Sequence, residues 1–168
     1  MVLGGAASGK SAFAEQLVLR QPGRPVYIAT AQAFDDEMAD KIDIHRARRG
    51  ADWTTIEEPL DLCVAIAGAD AEDAVVLVDC LTLWLNNLMA ADRDVKAATA
   101  ELVQAMRRAR GKVVFVANEL GLGIVPENAM ARAFRNNHGA LNQAVAAAAD
   151  RVVFVAAGLP LVLKGALD

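Results

Sequence analysis

Cysteine and histidine are scarce in this sequence, with only two of each among 168 residues. Cys63 and Cys80 are far apart and each lies in an apolar stretch. That placement favours free thiols in a reducing cytoplasm over a disulfide framework. A zinc site would need both cysteines to converge with His45 and His138, and nothing in their spacing supports it. The composition therefore argues against a disulfide-stabilised secreted domain and against a structural zinc module.

Long hydrophobic runs and clusters of basic residues are also absent. Apolar residues make up 55% of the chain, but they occur in short runs, well below the ~18 residues that a membrane helix needs. No basic region followed by an apolar stretch opens the chain, so we predict no secretory signal. The formal net charge is -4, without the basic stripe typical of nucleic acid binding. We expect a cytoplasmic protein with neither a membrane nor a nucleic acid as its partner.

Short β-branched segments alternate with amphipathic stretches along the chain. Continuously apolar strands, typical of strands covered on both faces, are predicted at residues 26–30, 75–79, 112–117 and 151–157. Helices are predicted at residues 11–20, 35–49, 81–89, 95–110 and 129–149. A turn at 158–160 should lead into a last antiparallel edge strand at 161–164, where Pro160 is tolerated. The pattern predicts one α/β domain over residues 1–168, with a mainly parallel sheet between helices and an antiparallel C-terminal edge hairpin.

The most specific motif lies near the start of the chain. Residues 4–11 read GGAASGKS and match the phosphate-binding P-loop, G-x-x-x-x-G-K-[ST], in full. Its glycines let successive backbone N–H groups converge on phosphate oxygens, and the helix that follows adds its positive end. The predicted nucleotide-binding residues are Gly4, Gly5, Ala6, Ala7, Ser8, Gly9, Lys10 and Ser11. We therefore expect a P-loop NTPase-type three-layer fold that binds a nucleoside triphosphate, with Lys10 as a catalytic contact to the β and γ phosphates.

A magnesium site is predicted from Ser11 and Asp79. The Ser11 hydroxyl of the P-loop can hold Mg²⁺. Asp79 ends the apolar segment VVLVD, and a carboxylate at a strand end can join the same Mg²⁺ shell. Because many buried strands end in aspartate at a turn, the prediction for Asp79 depends on the P-loop upstream.

The other candidate reactive group is His45, which lies in residues 33–50, AFDDEMADKIDIHRARRG. As a helix, this segment places His45 at the end of an apolar stripe, and Arg48 and Arg49 follow one turn later. Spacing alone favours a histidine that closes the apolar face of a surface helix, with solvated arginines. The alternative is that neutral His45 attacks phosphorus while the guanidinium groups offset the charge of a triphosphate.

Three further segments are more particular than the P-loop. They read DDEMADKIDIHRARR, NELGLGIVPEN and ARAFRNNHGALNQ, at residues 35–49, 118–128 and 131–143. Together with the P-loop, they resemble the bifunctional adenosylcobinamide kinase / adenosylcobinamide-phosphate guanylyltransferase family of cobalamin synthesis. The resemblance covers essentially the whole chain in order. It departs from the family pattern at Ala7, where arginine is common, and at Asn136, where aspartate is common.

The resemblance implies two reactions at one nucleotide site. ATP or GTP would phosphorylate adenosylcobinamide, with Mg²⁺ as the metal. A histidine would then attack the α-phosphorus of GTP, release pyrophosphate and pass the GMP to adenosylcobinamide phosphate. The matching residue is His45, whose imidazole is unprotonated at neutral pH if its pKa lies near ~6.5. The resemblance also implies a homo-oligomer, specifically a homotrimer.

The resemblance further implies nucleotide-site residues outside the P-loop. They are Thr30, Ala31, Gln32, Arg48, Arg49, Gly50, Ala51, Glu57 and Asp79. Without the family, Glu57 would be interpreted as a solvated turn carboxylate. Glycines 121 and 123 would let the loop at 118–128 act as a lid or contact the corrinoid, and a purely structural turn is the alternative.

Two other functions are compatible with a P-loop. A small kinase acting on a nucleoside or sugar would need no nucleophilic histidine. A regulatory GTPase would have an N-K-x-D-type sequence after a strand, whereas residues 117–120 read ANEL. The sequence therefore disfavours the GTPase.

Overall fold

The computed structural model describes residues 1–32 and 52–167. The strands are β1 Val2–Gly4, β2 Arg24–Ala29, β3 Thr54–Glu57, β4 Ala74–Asp79, β5 Lys112–Asn118, β6 Val152–Ala156 and β7 Leu159–Lys164. Within these ranges the helices are α1 Lys10–Leu19, α2 Leu62–Ala69, α3 Leu81–Ala90, α4 Val95–Arg108 and α5 Ala129–Ala148. All seven strands form one sheet in the order β3-β2-β4-β5-β1-β6-β7. None of these helices combines the length and apolar character needed to cross a membrane.

The sheet is parallel except at one edge. The pairs from β3 to β6 are all parallel, and β7 runs antiparallel to β6. The prediction of a mainly parallel sheet with an antiparallel C-terminal hairpin is confirmed. Consequently the strands β1 to β6 all have their carboxyl-terminal ends on the same side of the sheet. We call this row of strand ends the carboxyl edge of the sheet, as distinct from its edge strands β3 and β7.

Both faces of the central strands of the sheet are covered, which explains why these strands are continuously apolar. In β4, Val75 and Leu77 belong to a buried cluster that includes Ala14 and Val18 of α1. The alternate residues of β4 belong to a second cluster, formed with apolar residues of the other four described helices. Since successive side chains of a strand point to opposite faces, a strand between two helix layers needs apolar residues at every position. The predicted three-layer arrangement is confirmed.

Most predicted helices are found within two residues of their expected bounds. They correspond to α1, α3, α4 and α5, whereas the helix predicted at 35–49 lies outside the described residues. Two elements after the P-loop were missed, β3 and α2. β3 is a four-residue edge strand whose side chains are mostly exposed, so it lacks the apolar signal of the central strands. α2, LCVAIAGA, is apolar on nearly all sides, so it lacks the periodicity that identifies a surface helix.

The C-terminal hairpin turns earlier than predicted. Ala157 and Gly158 have φ values of 51° and 77°, as in a two-residue turn with both central residues left-handed. The last strand therefore begins at Leu159 and includes Pro160, which pairs with Val155. The predicted bounds of the turn, 158–160, are wrong because they place Pro160 before the last strand, whereas this edge strand tolerates the proline as one of its paired residues.

Candidate functional site

The P-loop connects β1 to α1 at the carboxyl edge of the sheet. Ala7 and Gly9 have left-handed backbones, with φ values of 53° and 92°. Alternation between left- and right-handed residues points successive N–H groups into one concavity, which suits an anion. The first N–H groups of α1, which begins at Lys10, have no partner within the helix and add to this cradle.

Gly4 and Ser8 show how closely the P-loop is folded. A Cβ on Gly4 would collide with the Ser8 hydroxyl and with the carbonyl oxygen of Val155, so only glycine fits there. The Ser8 hydroxyl is buried and has no hydrogen-bond partner among the described residues. A buried unpaired hydroxyl inside a loop of this type is consistent with a ligand that supplies the missing partner.

Lys10 lies at the start of α1 and reaches back over the P-loop. Its Nζ donates a hydrogen bond to the Gly5 carbonyl oxygen at 3.0 Å. A neutral carbonyl is a weaker partner for an ammonium group than a phosphate oxygen. The Lys10 side chain is therefore held near the loop by a contact that a phosphate can replace at little cost.

The C-terminal hairpin packs directly on the P-loop. The Gly158 N–H donates to the Ser8 carbonyl oxygen at 2.8 Å, and a Cβ on Gly9 would lie 3.2 Å from the Gly158 Cα. The sequence reasoning missed this contact. It depends on β6 pairing with β1, and no local pattern in the sequence reveals which strands are neighbours.

Asp79 ends β4 at the carboxyl edge of the sheet, and the hydroxyl of Tyr27 orients its carboxylate. The Tyr27 hydroxyl donates to Asp79 Oδ2 at 3.2 Å, and the Tyr27 ring packs edge-on against Trp53. β4 and β1 are separated only by β5, which corresponds to about 10 Å between strand axes. A side chain at the end of β4 can therefore approach an ion held at the P-loop.

Thr30 and Asn87 fix the chain beyond β2. The buried Thr30 hydroxyl donates to the Cys80 carbonyl oxygen at 2.7 Å and accepts from the Cys80 N–H at 2.8 Å. Asn87 Nδ2 donates to the Thr30 carbonyl oxygen at 2.8 Å and to the Pro59 carbonyl oxygen at 3.1 Å. Thr30 thus holds the backbone of Cys80 in place at the carboxyl edge. Asn87, which the sequence does not single out, joins the segments that follow β2 and β3 to α3.

Glu57 ends β3 and its side chain is exposed. β3 is paired in register with β2, which brings Glu57 opposite Ala29, and Ala29 is in turn opposite Asp79. Four strand spacings separate β3 from β1, about 19 Å in total. That distance is too long for Glu57 to share a metal ion with the P-loop, and it suits the far end of a bound nucleotide.

The described structure brings most of the predicted residues to one edge. Gly4 to Ser11, Thr30 to Gln32, Glu57 and Asp79 all lie at or beyond the carboxyl ends of parallel strands, where ligand sites of α/β folds form. His45, Arg48, Arg49, Gly50 and Ala51 lie outside the described residues.

Cys80 is the cysteine closest to this edge, directly after Asp79. Burial, together with the neighbouring Asp79 carboxylate, raises the pKa of the Cys80 thiol to about 11. A thiol with so high a pKa stays protonated at neutral pH and is a poor nucleophile. Cys80 therefore serves as packing rather than as a reactive group.

A P-loop that follows the first strand of a three-layer parallel sheet defines a P-loop nucleotide-binding protein. The model of the cobinamide kinase / cobinamide phosphate guanyltransferase family matches residues 1–163. The chain is 44% identical to the bifunctional adenosylcobalamin biosynthesis protein CobP of Pseudomonas aeruginosa, over 98% of this chain and 96% of the relative. It is 40% and 38% identical to the bifunctional adenosylcobalamin biosynthesis proteins CobU of Salmonella typhimurium and Escherichia coli, over 98% of each chain.

The chain belongs to the cobinamide kinase / cobinamide phosphate guanyltransferase family. It is thus a bifunctional enzyme of cobalamin biosynthesis, a kinase and a guanylyltransferase that uses a guanine nucleotide. The family resemblance read from the sequence is confirmed.

Proposed function

We propose that the enzyme phosphorylates adenosylcobinamide with ATP or GTP and then transfers GMP from GTP to adenosylcobinamide phosphate, in both cases with Mg²⁺. The observation that carries this proposal is a complete P-loop, with Lys10 and the start of α1 at the carboxyl edge, in a chain that the family model matches over residues 1–163. The products would be adenosylcobinamide-GDP and pyrophosphate.

In the kinase reaction the chain's main task is to hold the triphosphate. The N–H groups of residues 4–9 and the start of α1 surround its oxygens, and Lys10 exchanges the Gly5 carbonyl for the β and γ phosphates. Ser11 and Asp79 would hold the Mg²⁺, which offsets phosphate charge when bound. The hydrogen bond from Tyr27 to Asp79 supports this role, because it orients the carboxylate.

In the guanylyl transfer we assign the nucleophile to His45. One imidazole nitrogen attacks the α-phosphorus of GTP, a P–N bond forms, and the bond to the departing pyrophosphate breaks. A phosphate oxygen of adenosylcobinamide phosphate then attacks the same phosphorus, the P–N bond breaks, and free His45 is regenerated. Arg48 and Arg49 would offset the charge on the phosphates, and Gly50 and Ala51 would complete this side of the nucleotide site.

The surroundings of the second histidine support His45 as the nucleophile. His138 is only 1% exposed, and its ring nitrogens face Thr82 and Asn142. A sealed imidazole cannot approach the α-phosphorus of a bound nucleotide. We assign Ala31, Gln32 and Glu57 to the nucleoside half of GTP, since Glu57 lies about four strand spacings, ~19 Å, from the P-loop strand.

The proposal is tested by reconstitution. The protein is incubated with adenosylcobinamide, Mg²⁺ and either ATP or GTP, and the corrinoids are followed by chromatography and mass spectrometry. We expect adenosylcobinamide phosphate with at least one donor, and adenosylcobinamide-GDP with stoichiometric pyrophosphate when GTP is supplied. Phosphorylation of a nucleoside or sugar instead of the corrinoid would favour a different small kinase. GTP hydrolysis without any transfer would favour a switch GTPase.

We further propose that residues 1–168 act as one catalytic domain and assemble into a cytoplasmic homotrimer. The single sheet, with strands from Val2 to Lys164, supports one domain. The exposed edge strand β7 supports self-association, because Leu159, Leu161 and Leu163 are 71%, 60% and 56% exposed. An exposed apolar edge strand is a surface that proteins normally cover.

We predict that Leu161→Lys combined with Leu163→Lys converts the assembly to monomers, because two charges would be buried on that surface. Light scattering after size exclusion should give three times the 17.7-kDa chain mass for the wild type and a single chain mass for the variant. Val64→Lys is the matched control, since Val64 is 72% exposed on α2 and should leave the mass unchanged. A wild-type protein that elutes as a monomer would contradict the proposed assembly.

A further inference from the structure

A buried polar network lies beside the P-loop and has no part in the proposed chemistry. His138 of α5 places Nε2 at 2.9 Å from Thr82 Oγ1 and Nδ1 at 3.3 Å from Asn142 Nδ2. All three side chains are buried, with exposures of 1% for His138, 7% for Thr82 and 6% for Asn142. Buried polar groups are costly unless they are paired, so these contacts restrain the rings and hydroxyls that make them, while Asn142 Oδ1 is buried without a partner among the described residues.

The network holds the end of β5, which extends further than its neighbour β4. The last pair between the two strands joins Asp79 and Val116, so Asn118 has no strand partner on that side. Side chains replace the strand: Thr82 Oγ1 accepts from the Asn118 N–H at 2.9 Å. Asn142 Nδ2 donates to the Asn118 carbonyl oxygen at 3.0 Å. Both polar backbone groups of Asn118 are thereby satisfied.

The opposite side of this strand end supports the P-loop. The Glu119 N–H donates to the Gly4 carbonyl oxygen at 3.0 Å, and Gly4 is the residue at which the P-loop begins. Because backbone groups of consecutive strand residues point to opposite sides, holding Asn118 from one side fixes Glu119 toward Gly4 on the other. The network is therefore connected to the P-loop through two consecutive residues, Asn118 and Glu119.

The hydrogen bonds also define the protonation of the imidazole. The Asn118 carbonyl needs a donor, which sets the Asn142 amide nitrogen toward it and toward His138 Nδ1. Nδ1 must then accept, so the proton of a neutral ring lies on Nε2 and is donated to Thr82 Oγ1. Burial lowers the pKa of His138, although the Glu119 carboxylate opposes this shift. The ring is accordingly neutral at neutral pH.

We propose that His138 is a positioning residue for the nucleotide loop. Its neutral Nε2–H imidazole joins Thr82 to Asn142, so that together they hold Asn118 in place beside Gly4. The consequence for nucleotide affinity rests on the proposed nucleotide site, whereas the network itself does not.

The test compares His138→Gln with His138→Leu. A glutamine amide offers one donor and one acceptor and can reproduce both contacts, whereas leucine fills similar space and offers neither. We expect hydrogen exchange at the Asn118 and Glu119 amides to accelerate by about tenfold or more in His138→Leu and to stay near wild type in His138→Gln. The affinity for a non-hydrolysable ATP analogue, measured well below the unfolding temperature, should fall in His138→Leu and recover in His138→Gln.

Two further measurements keep the proposal falsifiable if His138→Leu does not fold. Nitrogen NMR of the wild-type imidazole should show a proton on Nε2 and none on Nδ1 at neutral pH. Thr82→Val, which removes only the hydroxyl, should accelerate exchange at the Asn118 amide. A proton on Nδ1, or variants that lose thermal stability while exchange at Asn118 and nucleotide affinity stay at wild-type values, would overturn the proposal. A wild-type protein that bound no nucleotide would instead defeat the proposed function, with the exchange and NMR results still deciding the network.

Discussion

Lys10→Ala is expected to lower kcat/KM for both phosphoryl and guanylyl transfer by about 10²–10³-fold, or roughly 2.7–4 kcal/mol of transition-state stabilisation. The Lys10 ammonium lies over the P-loop with the Gly5 carbonyl as its neutral partner. The backbone N–H groups of the loop remain in the variant, but they cannot replace a full positive charge against a triphosphate. Both reactions should suffer because both are proposed to use the same phosphate cradle.

The relevant kcat/KM is that for the nucleotide. Initial rates of the two reactions, measured separately with saturating corrinoid and varied nucleotide, check this expectation. Lys112→Ala is the matched control. Lys112 is an exposed lysine at the start of β5, so it lies at the amino-terminal ends of the parallel strands and away from the carboxyl edge. It contacts Gln21 rather than any nucleotide-site residue. Rates in Lys10→Ala comparable to those of Lys112→Ala, in either reaction, would show that the cradle is not where that reaction occurs.

His45→Ala is expected to separate the two activities. Guanylyl transfer should fall by at least about 10³-fold, because the covalent step loses its nucleophile. Phosphorylation of adenosylcobinamide should persist, since that reaction needs the P-loop and Mg²⁺ but no imidazole. With α-labelled GTP and Mg²⁺, the wild-type chain should carry an acid-labile, base-stable label that is absent from the variant.

The kinase activity of the same His45→Ala sample serves as its internal control for folding. Lys10→Ala gives the complementary pattern, with both activities lost. Full labelling of His45→Ala would refute the assignment of the nucleophile. Loss of both activities in His45→Ala, despite normal thermal unfolding, would mean that the residue also takes part in phosphoryl transfer.

The parts of the fold that could be predicted from the sequence are those encoded locally. The residues of β4 are apolar at successive positions because α1 covers one face and the other helices cover the opposite face, and that pattern is visible in the sequence alone. The P-loop is equally local, since Gly4, Ala7 and Gly9 determine its backbone within a few residues. The placement of Asp79 follows from the same logic, because parallel strands end at a common edge.

The parts that could not be predicted depend on which strands are neighbours. The bond between Gly158 and Ser8 exists because β6 lies beside β1, although nearly the whole chain separates them in sequence. Asn87 was not recognised because its partners, Thr30 and Pro59, are backbone carbonyls from two other segments. From the sequence, His138 enters only the argument against a zinc site, and its place in a network that supports β5 is not visible there. The role of His45 stays a prediction, because that residue lies outside the described part of the chain.

The contact between the C-terminal hairpin and the P-loop has a thermodynamic consequence. The turn at Gly158 touches the backbone of Ser8, and the strand that follows this turn presents an apolar row to the outside. If subunits associate through that row, the hairpin connects the subunit interface to the P-loop through the contact between Gly158 and Ser8. Thermodynamic linkage is reciprocal. If association of the subunits strengthens triphosphate binding, triphosphate binding must strengthen association by the same free energy.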